Sequence, residues 1–244
     1  MIGKRIYRVD SREKVTGKAI YGIDMKLPGM LPGKILRSPL PHARILHMDT
    51  TKARRLKGVK AVVTAEDTPK IKYGAQIDDE YPLAVDKVRY IGDEVAAVAA
   101  VDEETAREAL DLIRVEYEEL PALFSPREAM AAGAPRIHES VNNIATHFEF
   151  ERGSVAEGFR EADYILEDTF FTSNVHPGYL EPHVCVAQVD ADGKITLWAS
   201  LQAPARNRDQ IAKVLNFPVS RIRIIQTTVG GGFGGKATQV ISLY

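Results

Sequence analysis

The stretch Glu94–Leu120, EVAAVAAVDEETAREALDLIRVEYEEL, decides how this chain is read as a fold. Its opening run of small apolar residues suits a strand covered on both faces. Asp102 follows as a helix N-cap, and Glu103 and Glu104 suit the positive start of a helix. Ala106, Ala109, Leu110 and Ile113 recur at helical spacing. RVEYEEL then alternates, with Val115 and Tyr117 on one face. The unit reads as β-α-β with short links, which places the chain in the mixed α/β (α+β) class.

Working outward, Ala19–Asp24 and Lys34–Arg37 read as short strands around the turn-rich LPGMLPG. Arg44–Met48 reads as another strand. Thr50–Leu56 reads as a helix capped by Thr50 or Asp49 and ended by Gly58. Val59–Thr64 is a β-branched strand. Pro126, Gly133, Pro135 and a polar VNN mark residues 121–146 as a connector around a short helix, Pro126–Ala132. Domains are therefore expected at 1–125 and 149–244, joined by 126–148. The second half restarts with a helix, Ser154–Ala162, and an alternating strand, Tyr164–Thr172. Val184–Val189 and Lys194–Ser200 flank ADG as a hairpin. Pro204–Leu215 is helical, with Ile211, Val214 and Leu215 on one face. Arg221–Val229 is a strand. No internal repeat or low-complexity tract interrupts the pattern.

Bulk properties narrow the classes. At 244 residues the chain can bury a sizeable core, and 45% hydrophobic with 27% charged residues is ordinary for a globular protein. A formal net charge of −1 gives no basic excess for nucleic acid. The single cysteine, Cys185, excludes an internal disulfide, a CxxC metal site or a cysteine-ligated iron–sulfur cluster within this sequence. Flanked by Val184 and Val186, it reads as a small core hydrophobe. The charged N-terminus does not read as a signal peptide, and the apolar run Val95–Val101 is too short to span a bilayer. No membrane association is expected, and a reducing cytoplasm is the expected compartment.

One segment stands apart: Gly230-Gly231-Gly232-Phe233-Gly234-Gly235-Lys236, directly after the strand RIRIIQTTV. Glycines are entropically costly to order, so such a loop persists where something approaches the backbone closely, and converging amides can hold an anion or oxo group. The letters satisfy a dinucleotide fingerprint, but too little sequence follows to build its helix. They also begin a phosphate loop, but Ala237 stands where a magnesium-binding hydroxyl is needed. A tight structural turn is the third reading. Elsewhere, His176, Glu181 and His183 lack metal-ligand spacing and read as structural. Asp93-Glu94 and Asp78-Asp79-Glu80 read as surface charge.

GGGFGGK, with the glutamine of SLQAP some 30 residues upstream, resembles the large subunit of the xanthine dehydrogenase/aldehyde oxidase family. KVTGKAIYGIDMKLPGML, GKILRSPLPHARI, YPLAVDKVRYIGDEVAAVAA and HPGYLEPHVCVA resemble it in the same order. The resemblance spans about Ile2 to Lys236, and the first half looks closest to prokaryotic subunits of the 4-hydroxybenzoyl-CoA reductase, aldehyde oxidoreductase and carbon monoxide dehydrogenase kinds. It implies an N-terminal a/b hammerhead domain followed by the start of a molybdopterin-binding domain. It further implies a molybdenum cofactor held by a pterin, expected as a dinucleotide, with FAD and 2Fe-2S clusters on partner subunits. By position, Gln202 would donate to the apical oxo group, and Gly231, Gly232, Phe233 and Gly234 would line the cofactor. The backbones of Phe233 and Gly234 would lie near the metal, and the Phe233 ring would wall the pocket of a small-molecule substrate. Purine-oxidising members carry a glutamate after the loop lysine; Ala237 here favours an aldehyde, an aromatic acyl thioester or a small aromatic instead. Family subunits continue well beyond the position of Tyr244, so the remaining pterin loops and the glutamate general base are expected from a downstream portion. The alternative is a non-catalytic folded interaction module or remnant.

Overall fold

The computed structural model describes residues 2–74 and 77–237. Along the first half come α1 (Ser11–Val15), β1 (Gly33–Arg37), β2 (Ala43–Asp49), α2 (Thr51–Arg55), β3 (Val59–Thr64), β4 (Lys87–Val88), β5 (Glu94–Ala100), α3 (Glu103–Leu112) and β6 (Arg114–Glu119). There follow α4 (Pro126–Ala129), α5 (Val155–Glu161), β7 (Cys185–Val189), β8 (Ile195–Ala199), α6 (Pro204–Val214) and β9 (Ile222–Gln226). They form three three-stranded sheets, ordered β1-β5-β3, β4-β2-β6 and β7-β8-β9. No helix among the described residues is long and apolar enough to cross a membrane.

The Glu94–Leu120 stretch folds as strand, helix, strand, and the Asp102 carboxylate accepts the Thr105 N–H at 2.7 Å as the cap requires. The connectivity differs from a single-sheet β-α-β unit. β5 is the central strand between β1 and β3, antiparallel to both, whereas β6 pairs with β2 in the second sheet. The cause is the packing of α3. Ala106 and Ala109 are fully buried, and Ala109 packs with Ala53, Ala96 and Val98 between the helices and the first sheet. Small residues on both sides let α3 lie close over β5, and the chain leaves it toward the other sheet.

The parallel crossover sits instead in the second half. β7 and β8 form the expected hairpin, and β8 then connects through α6 to β9, which lies parallel to it with Ala199 opposite Gln226. Leu197, Ala199, Ile211, Val214 and Ile222 form its core, and Tyr73 from the first half packs into the same cluster. The side-chain amide of Gln210 donates to the Gly74 carbonyl at 3.2 Å, and Lys213 pairs with Asp78 at 2.5 Å, so α6 is held from both halves.

Two expected strands are absent. Ala19–Asp24 contributes only a parallel bridge, Tyr21 to Thr228, before a 3-10 turn over Gly22–Asp24. The Asp24 carboxylate accepts the Tyr21 N–H at 2.9 Å, a local bond that competes with a strand ladder. Tyr164–Thr172 forms no strand, and Leu166, Phe170 and Phe171 are exposed. Alternation can specify which side chains face a core, but a strand also needs a neighbour to pair with, and none is present among the described residues.

Asp93 and Glu94 are not surface charges: they are 9% and 4% exposed. Glu94 pairs with Arg37 and accepts from the Tyr90 hydroxyl at 3.1 Å. Asp93 accepts the Arg89 N–H at 2.8 Å. Burial pushes the Asp93 carboxyl up to about 6, helped by the neighbouring Glu94 and opposed by Arg89. An acid with a raised folded pKa favours folding when protonated, and that contribution is lost as pH rises from the ordinary carboxylate range through about 6. Asp93→Asn keeps an acceptor for the Arg89 N–H without the charge. It is expected to be more stable than the wild type at pH 8 by about 1–3 kcal/mol, with the difference vanishing near pH 4. Paired urea titrations across that range measure it.

Candidate functional site

Because β8 and β9 are parallel neighbours, their carboxyl ends open at the same edge of the sheet, the usual place for a ligand in such crossovers. Leu201 and Gln202 leave one strand there, and the glycine segment leaves the other. The Thr227 N–H donates to the Ala199 carbonyl at 3.1 Å, which keeps the two exits side by side.

The glycine segment forms a tight hairpin. The Gly235 N–H donates to the Gly232 carbonyl at 2.7 Å, with Phe233 at φ 48° and Gly234 at φ 91° between them. A turn with positive φ at both central residues is natural for glycine and strained for phenylalanine. It puts Phe233 at the tip, 74% exposed. Behind the tip the loop rests against its neighbours with no room for side chains. A Cβ on Gly232 would lie 2.6 Å from Gln202 Oε1, and one on Gly235 would lie 2.6 Å from Tyr179 Cε1.

Gln202 and the hairpin hold each other. Gln202 Oε1 accepts the N–H groups of Gly234 at 3.0 Å and Lys236 at 3.3 Å, and the Gln202 N–H donates to the Lys236 carbonyl at 2.9 Å. Both side-chain partners are donors, so the carboxamide must turn its oxygen to the loop and its Nε2 outward. Gln202 is exposed, and Nε2 has no acceptor among the described residues. The N–H groups of Gly231, Gly232 and Phe233 are likewise without an acceptor among the described residues, although Gly232 is buried. The structure thus brings together Gln202, Gly231, Gly232, Phe233 and Gly234.

Two residues that the sequence did not single out as a pair anchor this loop. Lys236 is fully buried, and its Nζ bonds Glu181 Oε2 at 2.8 Å and Ser200 Oγ at 2.9 Å. It also lies over the Tyr179 ring, 5.1 Å from the centroid. Burial alone would raise the Glu181 carboxyl, but hydrogen bonds from Lys236, Ser200 and the Gly230 N–H outweigh it and hold the group below its ordinary value. The Tyr179 hydroxyl in turn meets His183 Nε2, while His176 Nδ1 accepts the Gly178 N–H at 3.0 Å. These contacts also decide against the phosphate-loop reading: the lysine that would meet a phosphate is committed to Glu181 inside the protein. Cys185 lies in β7 against the core, and burial pushes its thiol up to about 12. Among the described residues no group of three or more His, Cys, Asp or Glu side chains could hold a metal ion.

Comparison with known proteins agrees with this layout. Residues 16–121 match the aldehyde oxidase and xanthine dehydrogenase a/b hammerhead domain, and residues 137–244 match the molybdopterin cofactor-binding domain. The chain is 44% identical over 230 residues to a probable xanthine dehydrogenase subunit of Bacillus subtilis, covering 94% of this chain and 31% of that protein. It is 41% identical over 238 residues to the nicotinate dehydrogenase large molybdopterin subunit of Eubacterium barkeri, covering 97% of this chain and 56% of the relative. The quinoline 2-oxidoreductase structure from Pseudomonas putida superposes with a TM-score of 0.85 at 31% identity, over 96% of this chain and 31% of that one. The chain therefore spans between about a third and about half of the relatives it matches. With both halves matched in order and the glycine hairpin facing Gln202 at the strand ends, the chain belongs to the xanthine dehydrogenase/aldehyde oxidase family and corresponds to the N-terminal part of its molybdopterin-binding subunit.

Proposed function

We propose that this chain supplies one wall of a molybdenum-cofactor site in an oxidoreductase acting on an aldehyde, aromatic or heteroaromatic substrate. The observation that carries the proposal is the cluster of donors left unpaired among the described residues at the carboxyl ends of β8 and β9: the N–H groups of Gly231, Gly232 and Phe233 together with Gln202 Nε2. Such donors fit an oxo-bearing, anionic group whose metal is held by a pterin dithiolene, a group that asks the protein for N–H donors and not for metal ligands. When bound, that cofactor supplies two-electron redox chemistry and the oxygen that is transferred. Gln202 would hold the oxo face, the loop amides would fix the group's position, and the exposed Phe233 ring would orient a planar substrate. Ala237, in place of a glutamate, leaves no carboxylate at that position for a purine edge.

The site is completed by a downstream part of the subunit, with FAD and iron–sulfur subunits carrying electrons, in a cytoplasmic assembly without nucleic-acid or membrane partners. A boundary within 126–148 divides the two domains. Produced with the rest of the molybdenum subunit, the chain is expected to co-purify with stoichiometric molybdenum and pterin, read by metal analysis and pterin fluorescence. Gln202→Ala is expected to weaken retention about 10- to 100-fold, from loss of a hydrogen bond to a charged partner. A folded wild-type complex free of both molybdenum and pterin would overturn the proposal.

A further inference from the structure

We propose that the buried Lys236–Glu181 ion pair is the positioning device of the glycine hairpin, a role that rests on the cofactor reading only for its purpose and on geometry for its existence. One carboxylate touches both ends of the loop. Glu181 Oε2 accepts the Gly230 N–H at 2.7 Å, where the hairpin begins, and the Lys236 ammonium at 2.8 Å, where it ends. The Glu181 N–H donates to the Gly230 carbonyl at 3.2 Å, and Glu181 Oε1 reaches the Gly22 N–H at 3.4 Å, tying the same point to the N-terminal region. Ser200, at the end of β8, donates to the carboxylate and accepts from the ammonium, so the strand that delivers Gln202 is fastened to the same pair. The Tyr179 ring fills the remaining face of the ammonium and is the surface on which Gly235 rests.

The tip has no charge-assisted hold, only the neutral bond from the Gly234 N–H to Gln202 Oε1. Phe233 is exposed and strained, and three loop amides have no acceptor among the described residues. Left to itself, a glycine-rich segment would sample many shapes. Charge-assisted bonds at its two ends remove that freedom without occupying the donors at the tip. Lysine suits the position because a compact ammonium can serve a carboxylate, a hydroxyl and a ring face at once. The charged atoms of both residues are buried and committed to each other, Ser200 and the Gly230 N–H, so each is a positioning residue and not a catalytic one.

Hydrogen–deuterium exchange on the whole chain tests this, comparing wild type with Glu181→Gln, Lys236→Met and the double variant. In each single variant the peptide covering 230–236 is expected to exchange at least about tenfold faster, while peptides from β5 and α3 keep their protection. Each single variant also leaves a buried partner unpaired, so its melting temperature falls. The double variant removes both charges. Its melting temperature is expected to recover while the hairpin stays fast, a separation that a merely structural pair would not give. Unchanged hairpin exchange in the single variants overturns the proposal. So does recovery of both quantities together in the double variant, or uniform loosening of every peptide. Should a single variant fail to fold, the double variant decides alone. A wild-type complex that never carries pterin, with the hairpin loosening as expected, sinks the cofactor reading and leaves the latch standing.

Discussion

Gly232→Ala is expected to disable the site while leaving the protein folded. The added Cβ would lie 2.6 Å from Gln202 Oε1, 2.7 Å from its Cδ and 3.0 Å from its Cγ, so the whole side chain must move. Gln202 would then give up its bonds to Gly234 and Lys236, the two contacts that fix which way its carboxamide is turned. The two lost bonds are worth about 0.5–1.5 kcal/mol each, a loss the fold tolerates. The functional cost is larger because it falls on a preorganised donor: activity of the assembled enzyme is expected to drop about 10²- to 10³-fold. Metal and pterin content, measured beside a melting curve, separates the two effects. A Gly232→Ala enzyme with full cofactor and wild-type kcat would show that Gln202 is dispensable at this position.

Leu197→Ala should produce the largest loss of stability among the apolar truncations considered. Leu197 is 2% exposed at the centre of β8, opposite Ala187 in β7 and Ile224 in β9. It packs with Ile211, Val214 and Ile222, so truncation removes apolar contact and leaves a cavity that a strand fixed on both edges cannot close. The expected cost is about 2–5 kcal/mol, or roughly 5–15 °C in melting temperature for a chain of this size. Val189→Ala, two-thirds exposed at the end of β7, is the control and should change stability by less than about 0.5 kcal/mol. Equal effects from the two would mean that the second-half core is not organised around β8.

The elements were largely legible because their causes are local. The Asp102 cap, the alanines of α3, the β-branched run of β3 and the ADG turn each act within a few residues, and each appears where the sequence places it. The order of strands was not legible, since nothing in EVAAVAAV says whether its neighbour is β6 or β1. The sequence reads β-α-β at Glu94–Leu120, yet packing puts the parallel crossover at β8-α6-β9. The buried pair was hidden for a related reason. Lys236 and Glu181 are far apart along the chain, and each alone looks like an ordinary charged residue; burial and partnership exist only once the strands are in register. Asp93 and Glu94 were misread in the same way.

The sequence by itself determined that a glycine hairpin around Phe233 follows a strand, and its motifs resembled one family along nearly the whole chain. The tertiary structure alone decided that Gln202 meets that hairpin and that Lys236 turns inward. Backbone flexibility and turn preference are properties of neighbouring residues. The convergence of donors, and the pairing of charges away from water, are properties of segments that meet only in the folded protein.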